Sequence, residues 1–251
     1  MIIIKNTSQI EKIRKSCQLT AKALELVAES IGPGISTKKL DLEVEKFILS
    51  HGAKPAFKGY QGFPASACIS VDEEIVHGIP RNNRILEEGM IVSVDIGVLL
   101  DGYYGDAAHT FAIGQVDPLK QKLMRVTKEA LHQGISVMKD SVKLGLVSET
   151  IQSHVEKNGF SVVRDLVGHG VGIKLHEDPP VPNYGSKNRG PLMKEGMILA
   201  IEPMVNAGTF AIETLADGWT VVTRDRKPSA HFEHTVLVTK DGYEILTNHD
   251  L

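Results

Sequence analysis

Apolar positions near the start of the chain follow a helical rhythm. Ile10, Ile13, Cys17, Ala21, Leu24 and Val27 share one face, and the run stops before Gly32-Pro33-Gly34. Ser8-Gln9-Ile10-Glu11 has the form of a capping box, so the pattern predicts an amphipathic helix opening there. A second helix is expected after Ser36, with Leu40, Val44, Phe47 and Ile48 on one face and Gly52 as its stop. Asp117-Pro118 offers an N-cap followed by proline at the first helical position, which predicts a third helix towards Met138. A shorter fourth should run from near Ser148 to Asn158-Gly159.

The other apolar runs read as strands: Ala67 to Val71, Ile91 to Leu99, Tyr103 to Ile113, Ile198 to Glu202, Trp219 to Thr223 and His234 to Thr239. Asp101-Gly102 and Asp217-Gly218 are two-residue hairpin signals. Strands and helices do not alternate one for one, so the expected class is α+β with antiparallel sheet. The Pro- and Gly-dense stretch from Asp178 to Pro191 reads as a long surface loop. No Ser- or Pro-rich linker divides the chain. It reads as a single domain over residues 1–251, with a short helical lead-in over about residues 1–50.

One segment is repeated. Glu88-Gly89-Met90-Ile91-Val92-Ser93-Val94-Asp95 matches Glu195-Gly196-Met197-Ile198-Leu199-Ala200-Ile201-Glu202. Both copies run from a charged residue through Gly-Met-Ile and an apolar strand to a carboxylate at the same offset. A turn plus a strand is commonplace, but the shared carboxylate is not required by it. The pattern suggests two related halves.

Composition narrows the class. The apolar fraction is 42% and the charged fraction 24%, as in soluble globular proteins. A net charge of -3 gives no electrostatic case for nucleic acid. Cys17 and Cys68 are too few for a zinc ribbon or a disulfide scaffold and suit a reducing compartment. Ile2-Ile3-Ile4 is too short for a signal-peptide core, and no long apolar run follows. The expectation is a cytoplasmic protein without a membrane segment.

The hairpin at Asp101-Gly102 locates chemistry. With Leu100 opposite Tyr103, Gly97 lies opposite Asp106, and Asp95 shares that face two residues away. Two carboxylates therefore meet diagonally, with a glycine leaving space between them, on a strand whose neighbours Ile91, Val92, Val94, Ile96 and Val98 indicate burial on both faces. Like charges that close need a cation or a shared proton. Glu202 ends the second copy of the repeat, Glu233 sits in His231-Phe232-Glu233-His234, and His169 is flanked by glycines in Gly168-His169-Gly170-Val171-Gly172. Four carboxylates and an imidazole could hold two divalent ions about 3.5–4 Å apart, as in dinuclear hydrolases. The oxygen-rich set suits Mn, Fe, Co or Zn and disfavours structural zinc.

Val94-Asp95-Ile96-Gly97, Gly105-Asp106-Ala107, Gly168-His169-Gly170-Val171-Gly172, Ile201-Glu202-Pro203 and Phe232-Glu233-His234-Thr235 resemble, in order and spacing, the motifs of bacterial type I methionine aminopeptidases. The resemblance covers nearly the whole chain. It implies the pita-bread fold, two αβ halves related by a pseudo-two-fold axis around a curved antiparallel sheet. It also implies metal-dependent removal of the initiator methionine from nascent polypeptides and peptides, with a small second residue preferred. By position, Asp95 would hold one metal, Asp106 and Glu233 would bridge both, and His169 and Glu202 would complete the other. Glu202 would also be the general base. His77 would contact the substrate backbone, and His176 would stabilise the tetrahedral intermediate. The methionine pocket would map onto Tyr60, Phe63, Cys68, His77, Leu175 and Trp219, beside His176.

One position departs from the family pattern Ser-Ala-Gln-Phe-Glu-His: His231 stands in place of the glutamine. A histidine there could donate to a ligand carboxylate or add positive charge at low pH. The implied partners are nascent N-termini and the ribosome, with the enzyme a monomer. The rival readings are an Xaa-Pro aminopeptidase and a non-catalytic peptide-binding protein of the same fold. The first usually carries a large extra N-terminal domain, and the second would have lost ligands. There is no G-x-S-x-G elbow for a serine hydrolase.

Overall fold

Residues 1–249 and Leu251 are described by the computed structural model. Helix α1 spans Thr7–Ser30 and α2 Thr37–Ser50. The capping box of α1 lies earlier than the pattern suggests. Asn6 accepts from the Gln9 N–H at 3.0 Å, and the Gln9 side chain accepts from the Asn6 N–H at 3.0 Å. Asparagine caps as well as serine does, and the chain is already pinned just upstream, where the Lys5 N–H donates to Gly196 O at 2.9 Å. Along α1, Leu24 and Val27 pack into the first sheet, while Ile13 and Cys17 meet Val171, Ile198 and Ala200 of the second half. Full burial of such a side chain contributes about 1.5–3 kcal/mol.

Helix α3 spans Pro118–Ser136 and is capped by Asp117, as expected; α4 spans Gly145–Lys157. α4 begins before Ser148 because neighbouring chain holds its first turn. The Gly145 N–H donates to Arg189 O at 3.0 Å, and a Cβ on Gly145 would lie 2.1 Å from Ser186 O.

Every ladder among the described residues is antiparallel. The strands Ile91–Leu100 and Tyr103–Ala112 form the expected hairpin, with Leu100 opposite Tyr103 and Gly97 opposite Asp106. Ala67–Val71 flanks it and sets Cys68 opposite Asp95. In the second half, His234–Val238, Ile198–Ile201, Gly168–Gly170 and Glu177–Val181 lie side by side. An isolated bridge joins these two sheets, where the Glu233 N–H donates to Ala108 O at 2.9 Å.

The repeat is a true structural equivalence. Gly89 and Gly196 take φ of 90° and 87° at matching turns. Gly89 N–H donates to Ile113 O, and Gly196 N–H donates to Val238 O. The helix pairs correspond too. Isolated bridges join Ser36 to Ile85 and Lys143 to Leu192, one just before α2 and the other just before α4.

Two expected turns differ. Asp217-Gly218 does not close a two-residue hairpin: Thr214 pairs with Val221, so the connection runs from residue 215 to 220. The Asp217 carboxylate accepts from the Trp219 and Thr220 N–H groups, which organises a wider turn and leaves Trp219 outside the strand. The start of the expected loop from Asp178 is strand, Glu177–Val181, tolerated despite its prolines because it lies at a sheet edge.

Candidate metal centre

Each half of the molecule delivers carboxylates to the seam. Asp95 and Asp106 arrive on the hairpin. Glu202 follows the end of Ile198–Ile201, and Glu233 stands just before His234–Val238. His169 comes from the middle of Gly168–Gly170, where the glycines permit close packing: a Cβ on Gly168 would lie 2.4 Å from Ala200 O. The ligating atoms of Asp106, His169 and Glu233 all lie within 4.8 Å of one another. His169 Nε2 is 3.5 Å from Glu202 Oε1 and 3.9 Å from Asp106 Oδ2. Its Nδ1 is 2.9 Å from Gly170 O, an acceptor only, so the proton sits on Nδ1 and Nε2 offers its lone pair to the centre.

The donors fit divalent ions on a physical test. Asp95 Oδ1, Asp106 Oδ1 and Glu233 Oε1 are buried without a hydrogen-bond partner. Such oxygens are costly unless something cationic meets them. Among protein groups alone, burial pushes the Asp95 carboxyl up to about 7. Burial, then repulsion from neighbouring carboxylates, raises Asp106, Glu202 and Glu233 well above the usual range. Burial also lowers the His169 imidazole to about 3, leaving it neutral and able to coordinate.

A cleft of about 820 Å³ opens onto this cluster. Tyr60, Phe63, Cys68, His77, Leu175, His176 and Trp219 all line it. Phe63 meets Trp219 edge-on at 5.2 Å, and Leu175 and Cys68 are buried in the same apolar cluster. Burial, then the Asp95 charge, raises the Cys68 thiol well above its ordinary value, so it is no nucleophile. His77 adopts φ of 58°, a strained conformation for a non-glycine residue beside the cleft. His176 Nδ1 lies 2.8 Å from Tyr60 Oη, and its ring stands 4.3 Å from that of His169.

Three features depart from the sequence reading. The space over Gly97 is not between the aspartates; a Cβ there would lie 2.5 Å from Phe57 Cε1, so the glycine admits the Phe57 ring. Phe57 and Met204 line the cleft without having been singled out, since no local pattern links either to the site. His231 Nε2 faces Glu202 Oε2 at 3.7 Å, beyond hydrogen-bond distance, and burial lowers its pKa to about 3. It therefore stays neutral into the mildly acidic range, so the charge considered for low pH does not arise there.

The model of metallopeptidase family M24 matches residues 11–240. The methionine aminopeptidase of Clostridium perfringens is 51% identical over 247 residues, covering 98% of this chain and 99% of that one. Methionine aminopeptidase 1 of Bacillus subtilis is likewise 51% identical, with the same coverage. The crystal structure of methionine aminopeptidase from Thermotoga maritima superposes with a TM-score of 0.97 at 48% identity, over 99% of this chain and 100% of that one. Prolidase from Pyrococcus furiosus gives 0.80 at 25% identity, and this chain covers only 66% of it. Its pita-bread architecture, its buried donors and its full-length relatives agree, and the chain belongs to metallopeptidase family M24.

Proposed function

We propose that this chain is a methionine aminopeptidase that releases the N-terminal methionine of nascent proteins and peptides, and that Asp95, Asp106, His169, Glu202 and Glu233 hold two divalent ions, Co, Mn, Fe or Zn. The observation that carries the reading is the junction of two environments. A buried, unpartnered carboxylate cluster adjoins an apolar pocket in which Cys68 stands directly opposite Asp95. Divalent ions held there supply Lewis acidity and a water of lowered pKa.

The chain's own groups do the rest. Phe63, Cys68, Leu175 and Trp219 take up a thioether side chain and exclude water. With Asp95, Asp106 and Glu233 holding the ions, the metal site would take the free N-terminal amine in its neutral form, which favours an exopeptidase over an endopeptidase. Glu202, between His169 and His231, takes a proton and hands it to the leaving amine. His77 orients the peptide backbone, and His176 donates to the carbonyl oxygen as charge develops there. The crowding of His77, His176 and Met204 around the cleft favours a small second residue.

The cellular setting belongs to the same proposal: a cytoplasmic monomer acting on nascent chains at the ribosome. Two free thiols support a reducing compartment. Among the described residues, no helix is long and apolar enough to cross a membrane.

The test is hydrolysis of Met-Ala-Ser, Met-Lys-Ser, Leu-Ala-Ser and Ala-Pro peptides, after chelation and with single metals restored. Met-Ala-Ser should be cleaved fastest, and only with metal. A preference for Ala-Pro would establish the Xaa-Pro reading instead, and cleavage of none would leave a binding protein.

A further inference from the structure

Lys5 is almost wholly buried, a rare state for lysine. Its Nζ lies 2.7 Å from Glu177 Oε2, with each side chain 1% exposed. The other oxygen, Glu177 Oε1, accepts from the Ile173 N–H at 2.7 Å and the Lys174 N–H at 2.9 Å. One carboxylate thus closes the turn that contains Leu175 and His176, and Lys5 holds that carboxylate from behind. The lysine stem lies over the last glycine of the Gly-His-Gly-Val-Gly motif; a Cβ on Gly172 would sit 3.4 Å from Lys5 Cε. The Lys5 N–H also pins Gly196, the turn that begins the strand leading to Glu202. Ile3, two residues upstream, lines the cleft.

A buried ion pair is weak grounds for stability, because desolvating both charges offsets their attraction. Apolar residues of similar size would fill the same space without that cost. What the pair supplies is a defined position. His176 is fixed at its tip by Tyr60 Oη and at its base by Glu177. We propose that Lys5 is a positioning residue for hydrolysis, which acts through its buried pair with Glu177 to set the turn bearing Leu175 and His176. This rests on the reading of His176 as a substrate-facing group.

The experiment uses the metal-loaded full chain with Met-Ala-Ser as substrate. It compares the parent with Lys5→Met, the double variant K5M/E177Q and His176→Ala. Lys5→Met leaves Glu177 buried without its cation and can fail to fold; the double variant strands no charge. The expected result for the double variant is parent-like metal content and thermal midpoint, with kcat reduced roughly tenfold and KM changed by less than about twofold. The ¹⁵N signals of the His176 ring should broaden or shift. His176→Ala should lose roughly a hundredfold in kcat. A double variant with parental kcat and unchanged His176 signals overturns the proposal. So does a loss that merely tracks metal content or folded fraction, or a double variant that does not fold, since the role would then be structural. Parental kcat in His176→Ala overturns the reading of His176 instead.

Discussion

The two halves share a frame and differ in what they mount on it. Met90 Sδ accepts from the Glu87 N–H, and Met197 Sδ accepts from the Lys194 N–H. Thr110 Oγ1 donates to His231 O and accepts from the His231 N–H. Thr235 Oγ1 does the same for Asp106. Each half therefore clasps a residue of the other, and the mates can be read off: Asp95 with Glu202, Asp106 with His231, Ala108 with Glu233, His109 with His234. Backbone hydrogen bonds obey the symmetry because they set the strands. Side chains at the seam break it, because one donor set in one cleft has no use for two copies of everything.

The largest expected effect tests that inequality. Asp106 and His231 are equivalent in the frame, and each has a buried atom without a hydrogen-bond partner, but of the two only Asp106 lies in the ligand cluster with His169 and Glu233. Asp106→Ala should abolish turnover in metal-replete buffer while the protein stays folded, as should His169→Ala. His231→Gln should hold kcat within about an order of magnitude of the parent. Steady-state rates with circular dichroism decide it. More than a few per cent activity in Asp106→Ala would remove that residue from the ligand set.

How much of this was legible follows from the range of the interactions. The Asp95–Asp106 pair could be placed because Asp101-Gly102 sets the hairpin register and local counting does the rest. Asp217-Gly218 carries the same signal and misleads, because the Asp217 carboxylate bonds to backbone beyond the turn. Glu202 was visible through the repeat, whereas His169 and Glu233 needed the family likeness. Pairings such as Lys5 with Glu177, or Phe57 over Gly97, join residues with no shared periodicity. Strands of three residues, such as Glu74–Val76 and Met204–Asn206, are too short to show alternation and exist through their partners.

The repeat's glycines sharpen the comparison at the next level. Gly89 and Gly196 have nearly the same positive φ, so alanine is strained equally at both, by roughly 1–2 kcal/mol. Their surroundings differ. A Cβ on Gly89 meets only Gln115 O at 3.8 Å, whereas one on Gly196 would lie 2.8 Å from Lys5 O and 2.9 Å from Ile4 Cγ2. Gly196→Ala should therefore cost about 1–3 kcal/mol more than Gly89→Ala. Urea unfolding of the two variants measures the gap; equal costs would mean that the N-terminal segment yields freely.

His109 and His234 allow a pH test of the same mates. Both are buried, but His234 Nδ1 lies 3.1 Å from Thr247 Oγ1, while His109 Nδ1 has no hydrogen-bond partner. Burial, then the His249 and Lys128 charges, lowers His109 to about 3. An unfolded histidine titrates near 6.5. Between those values only the unfolded chain binds the proton, so this contribution is intact above pH 6.5 and is lost as pH falls towards 3. At pH 5 the loss is about 2 kcal/mol. His109→Leu should lose correspondingly less stability than the parent between pH 7 and pH 5. Parallel stability curves would show that the imidazole is protonated in place.

The smallest difference is expected at the clasps themselves. Thr110 and Thr235 are each 0% exposed, and each hydroxyl both donates to and accepts from one backbone residue across the seam. Valine keeps the shape and removes both bonds, leaving a buried N–H and a buried carbonyl oxygen unpaired, at a cost of roughly 1–3 kcal/mol; at Thr110 it also takes a partner from the Ser93 hydroxyl, 2.8 Å away. Thr110→Val and Thr235→Val should agree in unfolding free energy to within about 1.5 kcal/mol, the gap being the extra Ser93 bond at Thr110. They should part in metal affinity. Thr235 holds the backbone of Asp106, so Thr235→Val should weaken metal binding in a calorimetric titration, while Thr110→Val, which holds His231, should leave it unchanged. Equal weakening by both would mean that the seam responds as one unit and that the ligands feel the symmetry after all.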